Sequence, residues 1–405
     1  MLSDGLKYQD SRMATCEEMK QDLAPFALHD AAAKSKGGPV LLRDGDTVYT
    51  DPSDSHSLIV GDTGSMKTLR FVLPLIYSCA AADESMVIVD PKGELARKSE
   101  SFLSAKGYKT VIINMRDPQR SPDTWNPMGV IERAYKSGEE GQQKAVLQLN
   151  DMLNDIFFRR VDTKDPYWNE SAGQLALGIC LLLLALGEKL NMKNLLKWRY
   201  EKLADGTLDK CFRNLPTDGE IYQNLAGYLG MTAENTKSCI RSTFDQLVRV
   251  FKSAPALTEM LNDTSFDIER IGEAKAAVFV VIPDEKTTFH FLATLFISQC
   301  YTTLLETAER HGGSLPRRTN IILEEFCNLP ALGDIVPMIT AARSRNIRLH
   351  MVIQSYGQLV EKYGENVSRA ILDNCGNMIY LHTREMDFLT YISRLAGNNE
   401  YGRPL

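Results

Sequence analysis

The sequence predicts an α/β fold, with a mostly parallel sheet covered on both faces and an all-α segment inserted into it. Three observations carry this prediction. Short strands that are apolar throughout, such as Met86-Val87-Ile88-Val89 and Ala277-Val278-Phe279-Val280-Val281, alternate with helix-patterned segments, and strands buried on both faces read this way. An apolar strand at 58–60 runs into the small, glycine-containing loop Gly61-Asp62-Thr63-Gly64-Ser65-Met66-Lys67-Thr68, and helix-compatible sequence follows from Leu69. From about 130 to 270 the apolar residues keep helical spacing and no convincing strand interrupts them.

Taken in order, 1–50 reads as an irregular or helical lead-in followed by a β-hairpin. Thr15 caps a short helix, Gly37-Gly38-Pro39 breaks the lead-in, and Asp44-Gly45 turns the hairpin over 40–49. Residues 51–130 hold the first part of the sheet domain: the loop strand, the strand at 86–89 ending in Asp90-Pro91-Lys92-Gly93-Glu94, and a strand at 110–113. Trp125-Asn126-Pro127 marks the chain leaving the sheet. Residues 131–270 form the all-α insertion, expected to face a substrate or partner, with helices near 145–158, 169–190, 194–203 and 233–253. Residues 271–405 return to the sheet through strands at 277–283, 320–326, 349–355 and 378–381, with a long helix over 289–310.

Composition narrows the class of protein. The chain has 405 residues, 44% hydrophobic and 24% charged, with a net charge of −6, so its bulk charge does not announce nucleic acid. Its eight cysteines are scattered without a C-x-x-C pair, as in a reducing compartment, and its six histidines form no metal-binding pair. Residues 1–24 are polar and charged, and the longest apolar run, 179–186, is far short of the ~20 residues that span a bilayer. The chain as given is expected to be soluble.

The loop from Gly61 to Thr68 carries the chemistry. Backbone N–H groups and a helix N-terminus cradle phosphate, Lys67 reaches the β- and γ-phosphates, and Thr68 ligates Mg²⁺. Met66 stands where this pattern has its second glycine, and a side chain there is expected to crowd the backbone against the phosphates. An ordinary strand-loop-helix connection is the plainer reading. Glu324-Glu325 ends an apolar strand, where the first carboxylate would hold Mg²⁺ and the second would act as general base. Solvated strand-end charges would look the same. Gln354 ends the next strand, where RecA-like ATPases place a group that senses the γ-phosphate. Of Arg343, Arg345 and Arg348, which precede that strand, Arg343 is the candidate arginine finger toward a neighbouring subunit's nucleotide. Asp90 is placed to support the metal shell and Lys92 to meet phosphate, although a plain turn also explains Pro91 and Gly93.

These motifs in this order resemble the type IV coupling proteins, the TraG/TraD-like ATPases of conjugation and type IV secretion. The resemblance runs from about 11 to 397. It rests on Gly61 to Thr68, Asp90-Pro91-Lys92-Gly93-Glu94-Leu95, Trp125-Asn126-Pro127, Glu324-Glu325-Phe326 with Asn328-Leu329, and Gln354-Ser355. Ser11-Arg12-Met13-Ala14-Thr15, Asp165-Pro166-Tyr167-Trp168, His382-Thr383 and Ser393-Arg394-Leu395-Ala396-Gly397 are further similar stretches. The resemblance implies a RecA-like P-loop core with an inserted all-α domain. It also implies a hexameric, ATP- and Mg²⁺-dependent motor that recruits a relaxase–DNA complex and drives single-stranded DNA through a secretion channel. Its partners would be the relaxosome, the channel ATPase and inner-membrane components. On that reading Lys67 and Thr68 bind phosphate and Mg²⁺, Glu324 supports Mg²⁺, Glu325 is the base, and Gln354 couples hydrolysis to movement.

The sequence departs from the family at Met66, at Glu324 in place of Asp, in lacking the usual membrane helices at the start, and in ending near Gly397. The expectation is a cytoplasmic chain docked at the inner face of the membrane, monomeric in isolation and hexameric when active. A FtsK/HerA-like DNA translocase and a non-hydrolysing docking adaptor with a degenerate loop are the alternatives.

Overall fold

The computed structural model describes residues 14–27, 34–157 and 166–396. Ser11-Arg12-Met13, Asp165 and Gly397, which the family resemblance drew on, lie outside the described residues. The chain forms two compact units. One comprises residues up to Ile112 together with those from Ile268 onward, and the other is Ile113–Asp267.

The first unit opens with a helix, Cys16–Asp22, whose start is a capping box. Thr15 accepts from Glu18 N–H, and Glu18 reaches back to Thr15 N–H at 2.8 Å. Strand β1 (Ala24–Ala27), missed in the sequence, follows it and pairs antiparallel with β3 (Thr47–Thr50), which also pairs with β2 (Val40–Asp44). Four residues alternating buried and exposed gave too little pattern to separate a strand from an irregular lead-in. The hairpin turns at Gly45-Asp46, one residue later than expected, because Gly45 takes the left-handed φ of 58°.

The main sheet has seven strands: β4 (Ser57–Gly61), β5 (Ser85–Asp90), β6 (Lys109–Asn114), β7 (Ala276–Val281), β8 (Thr319–Leu323), β9 (Ile347–Ile353) and β10 (Asn377–His382). Their order is β10-β4-β9-β8-β5-β7-β6. Strands β10, β4, β9, β8, β5 and β7 run parallel. The central strands β4, β5, β7, β8 and β9 are buried at every residue, which explains their largely apolar sequence, and the polar Asn320, Arg348 and His350 among them are hydrogen-bonded to one another. One core cluster joins Ile59, Ile88, Phe279, Ile322 and Val352 of the sheet to Phe71, Leu75 and Ile76 of the helix after β4.

The order matters for function. Strand β9 lies between β4 and β8, with Val60 opposite Ile353 and Leu323 opposite Met351. The carboxyl ends of three strands that are distant in sequence therefore finish side by side.

The second unit is helical. Its centre is the helix Tyr167–Ala185, which packs against Glu139–Phe157, Glu220–Leu229 and Glu234–Leu247. Among the described helices it alone is long and apolar enough to cross a membrane, and 72% of that apolar window is buried within the protein. Gly178 is required here, since a Cβ would sit 2.6 Å from Leu225 Cδ2. The Trp125-Asn126-Pro127 segment is structural. Trp125 is fully buried, and Asn126 donates to Leu190 O at 2.8 Å while accepting from Met128 N–H at 3.0 Å.

Candidate functional site

The loop after β4 is held by its own backbone. Gly61 has no room for a side chain, since a Cβ would lie 2.5 Å from Ser65 Oγ. Gly64 and Met66 both take left-handed backbone, with φ of 84° and 63°. Met66 therefore adopts the conformation a glycine would supply, and its side chain is 47% exposed. The departure from the motif carries backbone strain, about 1–2 kcal/mol for an L-residue in this region.

Lys67 is buried, and its ammonium donates to Gly61 O at 2.6 Å and Asp62 O at 3.3 Å. Burial lowers its pKa, against the opposing pull of the Glu325, Glu324 and Asp62 carboxylates. Exposed Lys92 is near enough for its charge to oppose that of Lys67. Thr68 opens a π-helical turn, Thr68–Val72, that continues into the helix Leu73–Ala81. Pro74, lacking an N–H, sits where the two join.

Glu324 and Glu325 follow β8. The Thr68 hydroxyl donates directly to Glu324 Oε1. Burial pushes the Glu324 carboxyl up to about 7. The Thr68 hydrogen bond opposes that shift, and the charges of Asp90, Glu325 and Glu94 add to it. Glu325 sits in left-handed backbone, φ 53°. Its Oε2 accepts from Gln354 Nε2 at 2.8 Å and from Asn328 Nδ2 at 3.4 Å. Gln354, at the end of β9, also receives the Thr63 hydroxyl on its Oε1 at 3.4 Å. The strand order thus places Gln354 as the bridge between the phosphate loop and the carboxylate pair.

A contact that sequence reading did not assign ties the loop to the edge of the sheet. Asp62 N–H donates to His382 O at 2.9 Å, and His382 Nδ1 lies 3.2 Å from Asp62 Oδ2. His382 carried the weak signal of a polar residue ending a strand.

Arg343 is exposed in the turn before β9. It stands at the amino end of that seven-residue strand, about 20 Å of chain from the carboxyl ends that carry the loop and the two glutamates. The structure does not bring it to its own chain's site. Arg348 lies inside β9, not before it, and it is 1% exposed and ion-paired with Glu84. It cannot serve as a finger or as a contact for DNA.

Thr68 Oγ1 touching a carboxylate, beside a second buried carboxylate at Asp90, is a hard-oxygen donor set that fits Mg²⁺. Mg²⁺ keeps several waters and takes phosphate oxygens, so few protein ligands suffice.

Residues 9–400 match the family described as Type IV secretory system Conjugative DNA transfer. The chain is 22% identical to the conjugal transfer protein TraG of Rhizobium radiobacter over 385 residues, covering 92% of this chain and 57% of that one. The chain thus spans a little over half the length of the curated relatives it matches. The plasmid coupling protein TrwB in complex with the ATP analogue ADPNP superposes with a TM-score of 0.64 at 18% identity, covering 96% of this chain and 83% of that one. TrwB in complex with ADP and Mg²⁺ gives a TM-score of 0.62 at 18% identity, with the same coverage. These likenesses show a RecA-like α/β fold. With nearly the whole sequence matched, the chain belongs to the type IV secretory system conjugative DNA transfer family of coupling proteins.

Proposed function

We propose that this chain is the nucleotide-driven part of a coupling protein, which binds Mg·ATP at Gly61 to Thr68 and uses its hydrolysis to drive DNA into a type IV secretion channel. The observation that carries the reading is the convergence of Lys67, Thr68, Glu324, Glu325 and Gln354 on three neighbouring strand ends. The TraG and TrwB likenesses supply the biological setting.

Each residue has a defined task. Gly61 to Met66 present backbone N–H groups to the phosphates, and Lys67 leaves the carbonyls of Gly61 and Asp62 for the γ-phosphate. Thr68 and Glu324 would hold the metal, which would supply positive charge to offset that of the phosphates. Glu325 takes a proton from the attacking water, whose oxygen bonds to the γ-phosphorus as the bond to ADP breaks. Gln354 hydrogen-bonds that base, so a change at Glu325 is felt at Thr63 and at the start of the helical segment Tyr356–Asn374, which begins two residues later and kinks at Gly364.

The substrate is single-stranded DNA carried by a relaxase. The active form is a homo-hexamer, in which exposed Arg343 completes a neighbour's site. The all-α unit takes part in choosing the substrate. ATP turnover at high protein concentration, with and without single-stranded DNA, tests the proposal beside Lys67→Ala and Glu325→Gln. DNA-stimulated turnover lost in both variants is expected. Flat turnover together with no Mg·ATP binding would overturn the motor and favour a docking adaptor.

A further inference from the structure

Asp90 is the one buried carboxylate at the carboxyl edge of the sheet to which the hydrolytic scheme gives no task. It ends β5, which lies against β8 with Val89 opposite Leu323, so Asp90 stands beside Glu324 where the two strands stop. It is 0% exposed. Its two oxygens have different surroundings. Oδ2 accepts the Ala96 N–H at 3.0 Å and so ties down the first turn of the helix Glu94–Ala105. Oδ1 is buried and makes no hydrogen bond of ordinary geometry, although the Lys92 and Leu95 N–H groups also lie close enough to the carboxylate to favour its charge, while burial pushes the group's pKa up. A buried carboxylate oxygen without a well-placed donor is unfavourable, and sites of this kind persist where a ligand or ion completes them.

The neighbours narrow the choice of ligand. On the β8 side the neighbouring strand end carries Glu324, whose carboxylate is already in contact with Thr68 Oγ1, while on the β7 side Asp90 pairs with Val281. The charges of Asp90 and Glu324 repel each other, so a cation or a cation's water suits both, and an anion suits neither. A helix cap alone uses Oδ2 and leaves Oδ1 unexplained.

We propose that Asp90 is a positioning residue of the metal site, with Oδ1 holding a water of the hydrated Mg²⁺ that accompanies the nucleotide. The proposal rests on the nucleotide reading above. It makes the Asp90 carboxylate a link between metal occupancy and the Pro91-to-Glu94 loop, because the same side chain grips that loop's helix through Ala96.

Asp90→Asn tests it, since the amide oxygen keeps the Ala96 contact while the charge is lost. The readout is affinity for a fluorescent ADP analogue, titrated in EDTA and over a range of Mg²⁺. In the unmodified protein Mg²⁺ is expected to tighten binding. In Asp90→Asn the EDTA affinity stays within about 2-fold, while the Mg²⁺ needed for half of the tightening rises about 10-fold or more, as for other outer-shell partners of a metal. Thermal unfolding without ligand, at or above the temperature of the unmodified protein, checks that the variant folds. An unchanged Mg²⁺ requirement in Asp90→Asn overturns this inference alone. No Mg²⁺-dependent tightening in the unmodified protein overturns the nucleotide reading and this inference with it.

Discussion

The two ends of the main sheet are both polar, yet they are built differently: the amino-end network is buried, whereas the carboxyl end mixes buried Lys67, Asp90 and Glu324 with an exposed loop. At the amino end, Arg348 pairs with Glu84, donates to Asn320 Oδ1 at 3.0 Å and reaches Ser53 O at 3.2 Å. His350 is held between Ser57 Oγ and Asn320 Oδ1, each at 3.1 Å. Gly37 and Gly38 close over the ion pair, where any Cβ would clash with Glu84 and with Asp51 O. Among the described residues no side-chain atom of this network lacks a partner. At the carboxyl end, Ser65 Oγ and Asp90 Oδ1 have none, Met66 and Glu325 sit in left-handed backbone, and three carboxylates crowd together. A satisfied polar network stabilises one arrangement, whereas unpaired and strained groups mark where something else is to bind.

The comparison can be broken most sharply at the amino end. Arg348→Ala should lower unfolding free energy by about 3 kcal/mol, because it takes from buried Glu84 its closest charge partner and leaves it the more distant Arg318, at 3.6 Å, and the Asn320 amide. Urea unfolding measures this, and a loss below 1 kcal/mol would contradict the structural role. Glu325→Gln, at the other end, should reduce ATP turnover by about 10²-fold or more while leaving the urea midpoint unchanged or raised. A turnover loss that merely tracked a stability loss would erase the distinction between the two ends.

Histidine protonation should destabilise the amino end alone. His56 Nδ1 accepts from Leu349 N–H at 3.0 Å while Nε2 donates to Ile339 O at 2.7 Å, so the ring is fixed as the neutral tautomer. Burial lowers its pKa, and the Arg343 and Arg348 charges lower it further. His350 lies well below its ordinary value for the same reasons, burial first and then Arg348 and His56. Below about pH 6.5 the unfolded chain binds protons that the folded one refuses. This contribution is therefore fully present above pH 6.5 and lost as pH falls, by up to about 1.4 kcal/mol per pH unit for each histidine. Urea midpoints at pH 7.5 and 5.5 should differ accordingly, and His350→Gln should flatten the slope. No slope in the unmodified protein would count against buried neutral rings.

The smallest effect belongs to Met66→Gly. Removing the left-handed strain should raise stability by about 1 kcal/mol. A fall in thermal midpoint would show that the Met66 side chain packs more than its exposure indicates.

Much of this was legible in the chain. Strands buried on both faces cannot alternate, so β7, most of β5 and the carboxyl-terminal parts of β8 and β9 appear as apolar runs, and a glycine-containing loop ending in Lys67-Thr68 is a local signal that needs no partner. The ordered series of short motifs carried the family, since each is set by local backbone needs. The short β1 escaped because four residues hold no usable period, and Arg348 was misread because sequence gives a charge no partner.

The sequence by itself determined which residues have the chemistry of a phosphate site: Lys67, Thr68, Glu324, Glu325 and Gln354. Only the tertiary structure decided that β9 runs between β4 and β8, and so that Gln354 touches both the loop and the base. It also put Arg348 in the core and set Asp90 beside Glu324. Strand order comes from how helices cover a twisted sheet over contacts of 250 residues or more, such as Thr68 to Glu324. No local pattern encodes that distance.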